Sequence, residues 1–397
     1  MRKSALSQPA TPTIQIIADA CEDAPEASRT MLSRREVLKR TINRVKASEA
    51  KRILLGGGGA APCDRSLLQL VIPQSVGSFR GESFVLYDSG PGDDRIVMFG
   101  LPGNVACLQE AEMWLGDGTF KAAPTLWSQI YTIHGLKSGF VIPCIFACLP
   151  DKSEQTYRRM WGAIRNFENF DDSRQPSDLL LDLELAASNA ATGTFGGTHV
   201  SWCYFHLGQA VDRKVVALGL RGKYRVDDSF RLRVKSLPAL AFLPPDRVVE
   251  AYNELQQSFP DCENDLLSYF EDNYIGRLTP GGRRPPRFSI ESWNVRERAL
   301  HGYTRTNNAV EGFHNAFSNY VLQSAHPSVW KLIDSLKKQQ SVANVDMAAV
   351  AAGESKMEPR KQRIRNERIK TLVSRYDEDQ CARRLLRGIA YNYMNEM

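Results

Sequence analysis

The sequence Trp114-Leu-Gly-Asp-Gly-Thr-Phe-Lys121 places one acidic residue, Asp117, at the end of a short apolar segment. Two segments rich in aromatic and β-branched residues follow, Leu126 to His134 and Phe140 to Leu149, and this composition is typical of strands. Apolar residues at helical spacing then predict a helix over Glu154 to Phe167. The pattern predicts an α/β domain with an acid in its first strand. The alternative is a turn at Asp117, because Asp-Gly is a common turn pair.

The composition is that of a folded protein with room for a sizeable core. Of the 397 residues, 43% are hydrophobic and 24% are charged. No apolar run approaches the ~20 residues that cross a bilayer, and no secretory signal is recognisable, so we expect no membrane association. The eight cysteines show no disulfide framework, which favours a reduced, intracellular protein. A net charge of +6 is compatible with a polyanionic partner but does not require one.

Two regions are predicted ahead of the first acid. Residues 1–60 comprise a loose leader, a basic amphipathic helix over Met31 to Lys51 and a flexible linker at Gly56 to Gly59. The basic helix could contact DNA phosphates, although a solvated charged face is the commoner explanation of such a pattern. Residues 61–112 show the signals of a β-hairpin followed by a short helix.

Two further acids occupy comparable positions downstream. Asp182 ends the continuous apolar run that starts at Leu179, and such a run is typical of a buried parallel strand. Thr198 to His206 is predicted to be the next strand, running into a helix. Helical periodicity then dominates, which indicates an inserted helical block. Glu311 lies in the first turns of a late helix.

The three acids form a plausible set of metal ligands. Hard divalent cations such as Mg²⁺ and Mn²⁺ prefer carboxylate oxygens, and a pair of them can support phosphodiester chemistry. Each acid also has a structural explanation. Asp117 could start a turn, Asp182 could cap the following helix, and Glu311 could be a first-turn acid favoured by the helix dipole.

Short segments that are weak individually occur in a specific order and spacing from roughly Leu67 to Tyr320. These segments are Asp117-Gly-Thr-Phe-Lys121 with Pro124, Tyr131-Thr-Ile-His-Gly135, Leu149-Pro-Asp-Lys-Ser-Glu-Gln-Thr-Tyr157, Asp182-Leu-Glu184, Cys203-Tyr-Phe-His-Leu207, Ala239-Leu-Ala-Phe-Leu-Pro-Pro245, Tyr274-Ile-Gly-Arg277 and Arg305-Thr-Asn-Asn-Ala-Val-Glu-Gly-Phe-His314. In the order and spacing of these segments, the chain resembles the transposase domain of Mutator-like elements, within the broad group of RNase H-like cores.

The resemblance implies a definite fold class and domain organisation. We expect an α/β fold in which an RNase H-like mixed sheet of five strands is flanked by helices. An all-helical insertion would separate the second acid from the third. The catalytic core would occupy residues 113–218 and 304–345, and the insertion residues 219–303. Residues 346–397 are a basic tail, in which the charge pattern predicts a helix with a basic face over Lys356 to Lys370 followed by a partly ordered end.

The resemblance also implies site residues. Asp117, Asp182 and Glu311 would form a DDE triad that holds two Mg²⁺ or Mn²⁺ ions. Four residues are accessory candidates, namely Glu184, Cys203, His206 and His314. Cys203 and His206 make half a zinc site at most, so zinc is not expected. Five basic residues are candidates for DNA contacts, namely Lys121, Arg283, Arg284, Arg287 and Arg305.

The implied function is metal-dependent DNA cleavage and strand transfer at the ends of a Mutator-like transposon. Such an enzyme would act in the nucleus as a homo-oligomer. The first hundred residues hold Cys21 and Cys63 and no histidine, so the cysteine- and histidine-rich DNA-binding finger of many family members is not recognisable there. The alternative is a catalytically silent, domesticated or truncated transposase that acts as a DNA- or chromatin-binding module.

Overall fold

A computed structural model of the protein describes residues 66–168 and 170–394. The leader, basic helix and glycine linker predicted for residues 1–60 lie outside these ranges. The strands are β1 (Ser78–Phe79), β2 (Glu82–Ser83), β3 (Val85–Asp88), β4 (Val97–Phe99), β5 (Met113–Thr119), β6 (Gln129–Lys137), β7 (Phe140–Leu149), β8 (Asp178–Leu181), β9 (His199–Trp202), β10 (Leu278–Thr279) and β11 (Gly282–Arg283).

The helices alternate with strands in the first half of the described chain and dominate the second half. They are α1 (Pro102–Gln109), α2 (Glu154–Arg165), α3 (Leu185–Thr194), α4 (Tyr204–Ala217), α5 (Arg221–Val226), α6 (Asp228–Ala239), α7 (Val248–Gln256), α8 (Asn264–Phe270), α9 (Ile290–Trp293), α10 (Arg296–His301), α11 (Asn308–Ala316), α12 (Val329–Ala351), α13 (Arg360–Asp379) and α14 (Ala382–Tyr393). None of the helices in the described ranges is both long and apolar enough to cross a membrane.

The central sheet has seven strands in the order β3-β4-β7-β6-β5-β8-β9. Strands β3 to β7 pair antiparallel, whereas β8 pairs parallel with both β5 and β9. The sequence predicted five strands. The two extra strands are the predicted N-terminal hairpin, which joins the sheet because β4 pairs with the exposed edge of β7.

Both faces of the sheet are covered, and this explains why β7 is apolar along most of its length. One face packs against α2 and α3 through a core that includes Trp114, Tyr131 and Trp161. The other face packs against α11 and α12 through smaller apolar clusters. Because side chains alternate along a strand, Asp117 shares the second face with Leu115, which clusters with Val310 of α11. The acid in β5 therefore points toward the helix that carries Glu311.

A second apolar core lies beside the sheet and is built from helices. Residues from α4 to α10 contribute to it, and so do α13 and α14 through Ile369, Val373, Leu386 and Ile389. The helix with a basic face expected over Lys356 to Lys370 is present as α13, which is longer than predicted. The segment beyond it, expected to be partly ordered, forms a second helix, α14, and both helices complete this core. The physical reason is the apolar stripe on each helix, which the high density of Lys and Arg obscures in the sequence.

The insertion differs in one respect from the all-helical block that the sequence predicted. Residues 219–275, which the structure describes throughout, contain helices and connecting segments and no strand. Strands β10 and β11 follow this stretch and form a small hairpin. Gly282 adopts a φ of 109°, which suits glycine and lets the Thr279 to Gly282 turn close. This hairpin pairs with itself and not with the central sheet.

Candidate active site

Asp117 and Asp182 meet at the ends of two adjacent parallel strands. Strand β5 pairs with β8 through Trp114 with Leu179 and Leu115 with Leu180, and Asp182 directly follows β8. Continuing this register by two places sets Asp117 beside Asp182, and a hydrogen bond joins their carboxyl groups. Asp117 belongs to a strand that pairs with β6 as far as Thr119, so the structure does not place it in a turn.

The pKa values of the two carboxyl groups are shifted in opposite directions. Burial and the negative charge of Asp117 raise the pKa of Asp182 well above its usual range. Burial also opposes ionisation of Asp117, but the hydrogen bond and charge of His314 outweigh it and lower the pKa of Asp117. The pair therefore holds one proton, mainly on Asp182, in place of a second negative charge.

The glycines on either side of Asp117 leave space for two polar side chains from β6. A Cβ atom at Gly116 would lie 2.8 Å from the Tyr131 hydroxyl oxygen, and one at Gly118 would collide with Gln129 Oε1. Tyr131 Oη and Gln129 Oε1 are both buried without a hydrogen-bond partner among the described residues. The Gly-Asp-Gly sequence is thus explained by packing, and it leaves an unpaired hydroxyl close to the acids.

Glu311 reaches the same region because the start of α11 is fixed to both the sheet and α4. Asn307 Nδ2 donates to Gly116 O at 3.1 Å, and the Asn307 backbone N–H donates to Cys203 Sγ at 3.1 Å. Val310 then packs on the apolar cluster with Leu115. Glu311, one residue later, projects toward α4, where its Oε1 lies 3.0 Å from His206 Nε2.

His206 is the link between Glu311 and the aspartate pair. The strand predicted to run through His206 ends at Trp202, so Cys203 precedes α4 and His206 lies in its first turn. Burial alone would lower the pKa of His206, but the neighbouring sulfur of Cys203, the hydrogen bond with Glu311 and the charge of Asp182 raise it well above its usual value. A protonated imidazole therefore lies between Glu311 and Asp182.

A second histidine is connected to Asp117 and to a buried polar chain. His314 Nδ1 lies 3.2 Å from Asp117 Oδ2, and His314 Nε2 lies 2.8 Å from Thr132 Oγ1. Thr132 Oγ1 in turn lies 3.0 Å from His134 Nε2. Burial and the charge of His314 lower the pKa of His134 to about 3, so His134 is neutral and can accept from the Thr132 hydroxyl. This chain fixes the orientation of His314 and, through it, of Asp117.

Glu184 lies at the edge of the site rather than in it. Its Oε2 accepts from the Tyr157 hydroxyl at 3.0 Å and forms an ion pair with Lys152 at 3.6 Å. Tyr157 also accepts from Gln129 Nε2 at 2.7 Å, so Glu184 is connected to the layer of polar groups behind Asp117. These contacts position Glu184 to orient its neighbours.

Residues 113–210 match the family model of the MULE transposase domain. This chain contains a MULE transposase domain. The matched segment runs from β5 into α4 and carries Asp117, Asp182, Cys203 and His206, whereas Glu311 lies outside it. Comparison with curated proteins and with solved structures gave no match.

The five basic residues predicted to contact DNA fall into two groups, those that are exposed and those that are engaged in contacts within the protein. Lys121, Arg284 and Arg287 are exposed. Arg283 forms an ion pair with Glu271 at 3.2 Å, and Arg305 is buried and donates through Nη2 to Asn366 Oδ1 at 2.6 Å. Arg305 is therefore engaged inside the protein, because its guanidinium joins the segment before α11 to α13.

The donor chemistry of the site fits a hard divalent cation. Two buried carboxyl groups in contact, sharing one proton, are an arrangement in which a cation can replace that proton. Glu311 supplies a third carboxylate, but it is bonded to His206. Accordingly, in residues 66–168 and 170–394 no three His, Cys, Asp or Glu side chains already stand in the geometry of metal ligands. Asp117 and Asp182 are thus the first candidates for metal ligands. Glu311 could become a third ligand if its carboxylate exchanged the contact with His206 for one with the metal ion.

Proposed function

We propose that the protein is a DDE-type transposase that cleaves DNA and transfers the cut strand. The observation that carries this proposal is the contact between Asp117 and Asp182, with Glu311 joined to the same group of residues through His206. The order β7-β6-β5-β8-β9 within the sheet supports an RNase H-like core, in which the first acid lies on the central strand. The helical insertion lies between the second and third acids, as the resemblance implies.

In this proposal Asp117, Asp182 and Glu311 would hold Mg²⁺ or Mn²⁺. Bound cations would supply activation of the attacking oxygen and charge stabilisation at the leaving oxygen. The protein's own residues then have distinct roles. His314 and Thr132 hold Asp117 in one orientation, and His206 holds Glu311 beside Asp182. The unpaired Tyr131 hydroxyl, buried behind the acids, is available to donate to Asp182.

The substrate in this proposal is DNA, specifically the ends of a transposon. The net charge of +6 and the exposed Lys121, Arg284 and Arg287 are suited to phosphate contacts, which position DNA without reading its sequence. An enzyme that moves chromosomal DNA would work in the nucleus. Strand transfer at two ends would require at least two copies of the chain.

The test is a nicking assay on supercoiled plasmid with Mg²⁺ or Mn²⁺, using the full chain. Asp182→Asn keeps the shape of the side chain and removes its charge, so it should abolish nicking. DNA binding should stay unchanged or tighten slightly, and binding by both proteins should weaken as salt rises because Lys and Arg contacts release counterions. Asp172→Asn, at an exposed carboxylate paired with Arg165, is the matched control and should nick like wild type. Nicking that survives Asp182→Asn would remove Asp182 from the triad.

The His206–Glu311 ion pair favours a second candidate function, that of a silent DNA- or chromatin-binding module. An imidazolium that already neutralises the acids could stabilise the fold where no cation is used. In that case the wild-type protein would bind DNA and never cut it with either metal. If the wild-type protein binds DNA but does not cut it at any metal concentration tested, this result would favour the binding module over the transposase.

A further inference from the structure

A cavity of about 820 Å³ opens beside the acids, between α4 and the inserted helices. One wall is the side of α4 that carries Phe205, Gly208 and Asp212, and the start of α11 contributes Asn308. Asp117, Asp182 and Glu311 do not line it. The cavity is thus a separate feature, and its volume lies within the range of ordinary ligand sites, about 300–1,000 Å³.

The charge of the cavity favours an anionic ligand. Arg213, Arg221 and Arg225 line it and are exposed to solvent. Deeper in the cavity, Lys235 Nζ forms an ion pair with Asp212 Oδ2 at 3.0 Å. Cations therefore outnumber the single lining carboxylate, and the three exposed guanidinium groups match the geometry of phosphate oxygens.

Two features of the lining suit a planar base. Phe205 is half-buried, yet it belongs to none of the apolar cores of the described residues, so core packing does not explain it. Its ring lies 5.9 Å from the ring of His206 and also lines the cavity. Asp212 Oδ1 is buried and, among the described residues, has no hydrogen-bond donor. It can accept from a ligand N–H group.

The cavity and the acid site share two helices. His206 and Asp212 lie six residues apart on α4, which corresponds to about 9 Å along the helix axis. Asn308 precedes Glu311 by three residues, about 4.5 Å along α11. Because α4 and α11 each carry a residue of the acid site and a residue of the cavity, a strand passing the acids would reach the cavity directly.

We propose that this cavity holds an unpaired nucleotide of the DNA strand adjacent to the cut. Its base would stack on Phe205 and donate to Asp212 Oδ1, and its phosphate would contact Arg213, Arg221 and Arg225. The inference rests on the proposed DNA function and adds a preference for DNA whose end is frayed or single-stranded. A free nucleotide has the same chemistry, and the experiment separates the two sources.

The experiment measures binding by fluorescence anisotropy with the full chain in EDTA, so cleavage plays no part. The probes are a duplex with a short single-stranded end, the blunt duplex of the same sequence, and dAMP as a free nucleotide. Wild type should prefer the single-stranded end. Phe205→Ala should weaken binding of that probe about tenfold and leave the blunt duplex unchanged, since stacking on an aromatic ring is lost. Phe205→Trp should restore the preference, and Arg225→Gln should reduce it.

The controls are an exposed aromatic residue and an exposed arginine outside the cavity. Tyr391→Ala and Arg375→Gln should leave the preference for the single-stranded end intact. Circular dichroism checks the fold of each variant. If Phe205→Ala does not fold, the Phe205→Trp and Arg225→Gln results decide.

Three outcomes would overturn the inference. Equal binding of both duplexes, unaffected by Phe205→Ala and Arg225→Gln, would remove the cavity from DNA binding while leaving the proposed function standing. Binding of dAMP as tight as that of the single-stranded end would assign the cavity to a free nucleotide. Failure to bind any DNA would overturn both the cavity assignment and the proposed function.

Discussion

The contact between Asp178 and Arg298 is expected to stabilise strand β8, which begins at Asp178 and ends just before Asp182. Arg298 of α10 is buried, and its Nη2 donates to Asp178 Oδ1 at 2.6 Å and to Ser201 Oγ at 2.7 Å. Its Nη1 donates to Thr304 O at 3.2 Å. One guanidinium therefore joins β8, β9 and the segment that leads into α11.

Asp178→Asn would leave this guanidinium buried without its countercharge. Removing one partner of a fully buried ion pair costs about 3–5 kcal/mol of unfolding free energy. The Asp178 side chain is 30% exposed and that of Arg298 only 6%, so water can compensate in part. We expect the free energy of unfolding to fall by about 2 kcal/mol, equivalent to a fall in Tm of roughly 2–3 °C for a chain of this size.

The loss of unfolding free energy caused by Asp178→Asn should become smaller at acidic pH. The hydrogen bond with His199 and the charge of Arg298 outweigh burial and lower the pKa of Asp178. A carboxyl with a lowered pKa in the folded state contributes its full stability above the pKa of the unfolded chain, about 3.9. That contribution disappears as pH falls through the folded-state value. The difference in unfolding free energy between wild type and Asp178→Asn should stay constant from neutral pH down to about 5 and become smaller below about 4.

The assay is thermal and urea unfolding of wild type, Asp178→Asn, Arg298→Met and the double variant. The double variant should lose less unfolding free energy than the sum of the losses of the two single variants. The reason is that Arg298→Met removes the positive charge that Asp178→Asn leaves buried without a partner. Asp172→Asn, paired with the exposed Arg165, is the control and should cost under about 0.5 kcal/mol. If Asp178→Asn cost no more than this control, or the two single losses simply added, the guanidinium would not have the role described.

Two further substitutions test other parts of the structure. Gly116→Ala should lower the unfolding free energy by about 1–3 kcal/mol and reduce any nicking, because the new Cβ would meet the Tyr131 hydroxyl and Leu181. A variant as stable and active as wild type would mean that Tyr131 does not occupy this space. Ile389→Ala, in the second core, should cost about 3 kcal/mol in urea unfolding, whereas Tyr391→Ala on the exposed side of the same helix should change little. Equal effects would show that α14 does not pack there.

The sequence predicted the parts of the fold that depend on local pattern. The helix predicted over Glu154 to Phe167 is confirmed as α2, and Ser153 caps it, since its Oγ accepts from the Thr156 N–H at 3.2 Å. The strands around Asp117 and Asp182 were recognisable because apolar and β-branched runs are bounded by turn residues. The sequence also indicates the Cys203-x-x-His206 pair as an accessory group, but it does not predict that the pair lies at the start of a helix, because Trp202 to His206 suits a strand as well as a first helical turn.

Features that depend on contacts between distant residues were not predictable in this way. The N-terminal hairpin looked complete in itself, and nothing local showed that β4 would pair with β7. Helix α14 buries a few apolar side chains against the insertion, whereas its sequence suggested a partly ordered tail. The chain from Asp117 through His314, Thr132 and His134 combines residues that are up to 197 positions apart only after β5, β6 and α11 meet. The one signal in the sequence was the spacing of Thr132 and His134 on β6, which places both polar side chains on the same face of the strand.

The position of Glu311 is best understood as a consequence of how residues 304–307 are held. Thr304 O accepts from Arg298, Arg305 O accepts from the Tyr204 N–H at 3.0 Å, and Asn307 contacts both Cys203 and Gly116. The insertion, α4 and β5 thus each fix one residue of a four-residue segment. Since α11 begins directly after this segment, its first turn can point only toward the aspartate pair. The insertion therefore does more than separate two acids in sequence, because its last helix sets the direction in which the third acid returns.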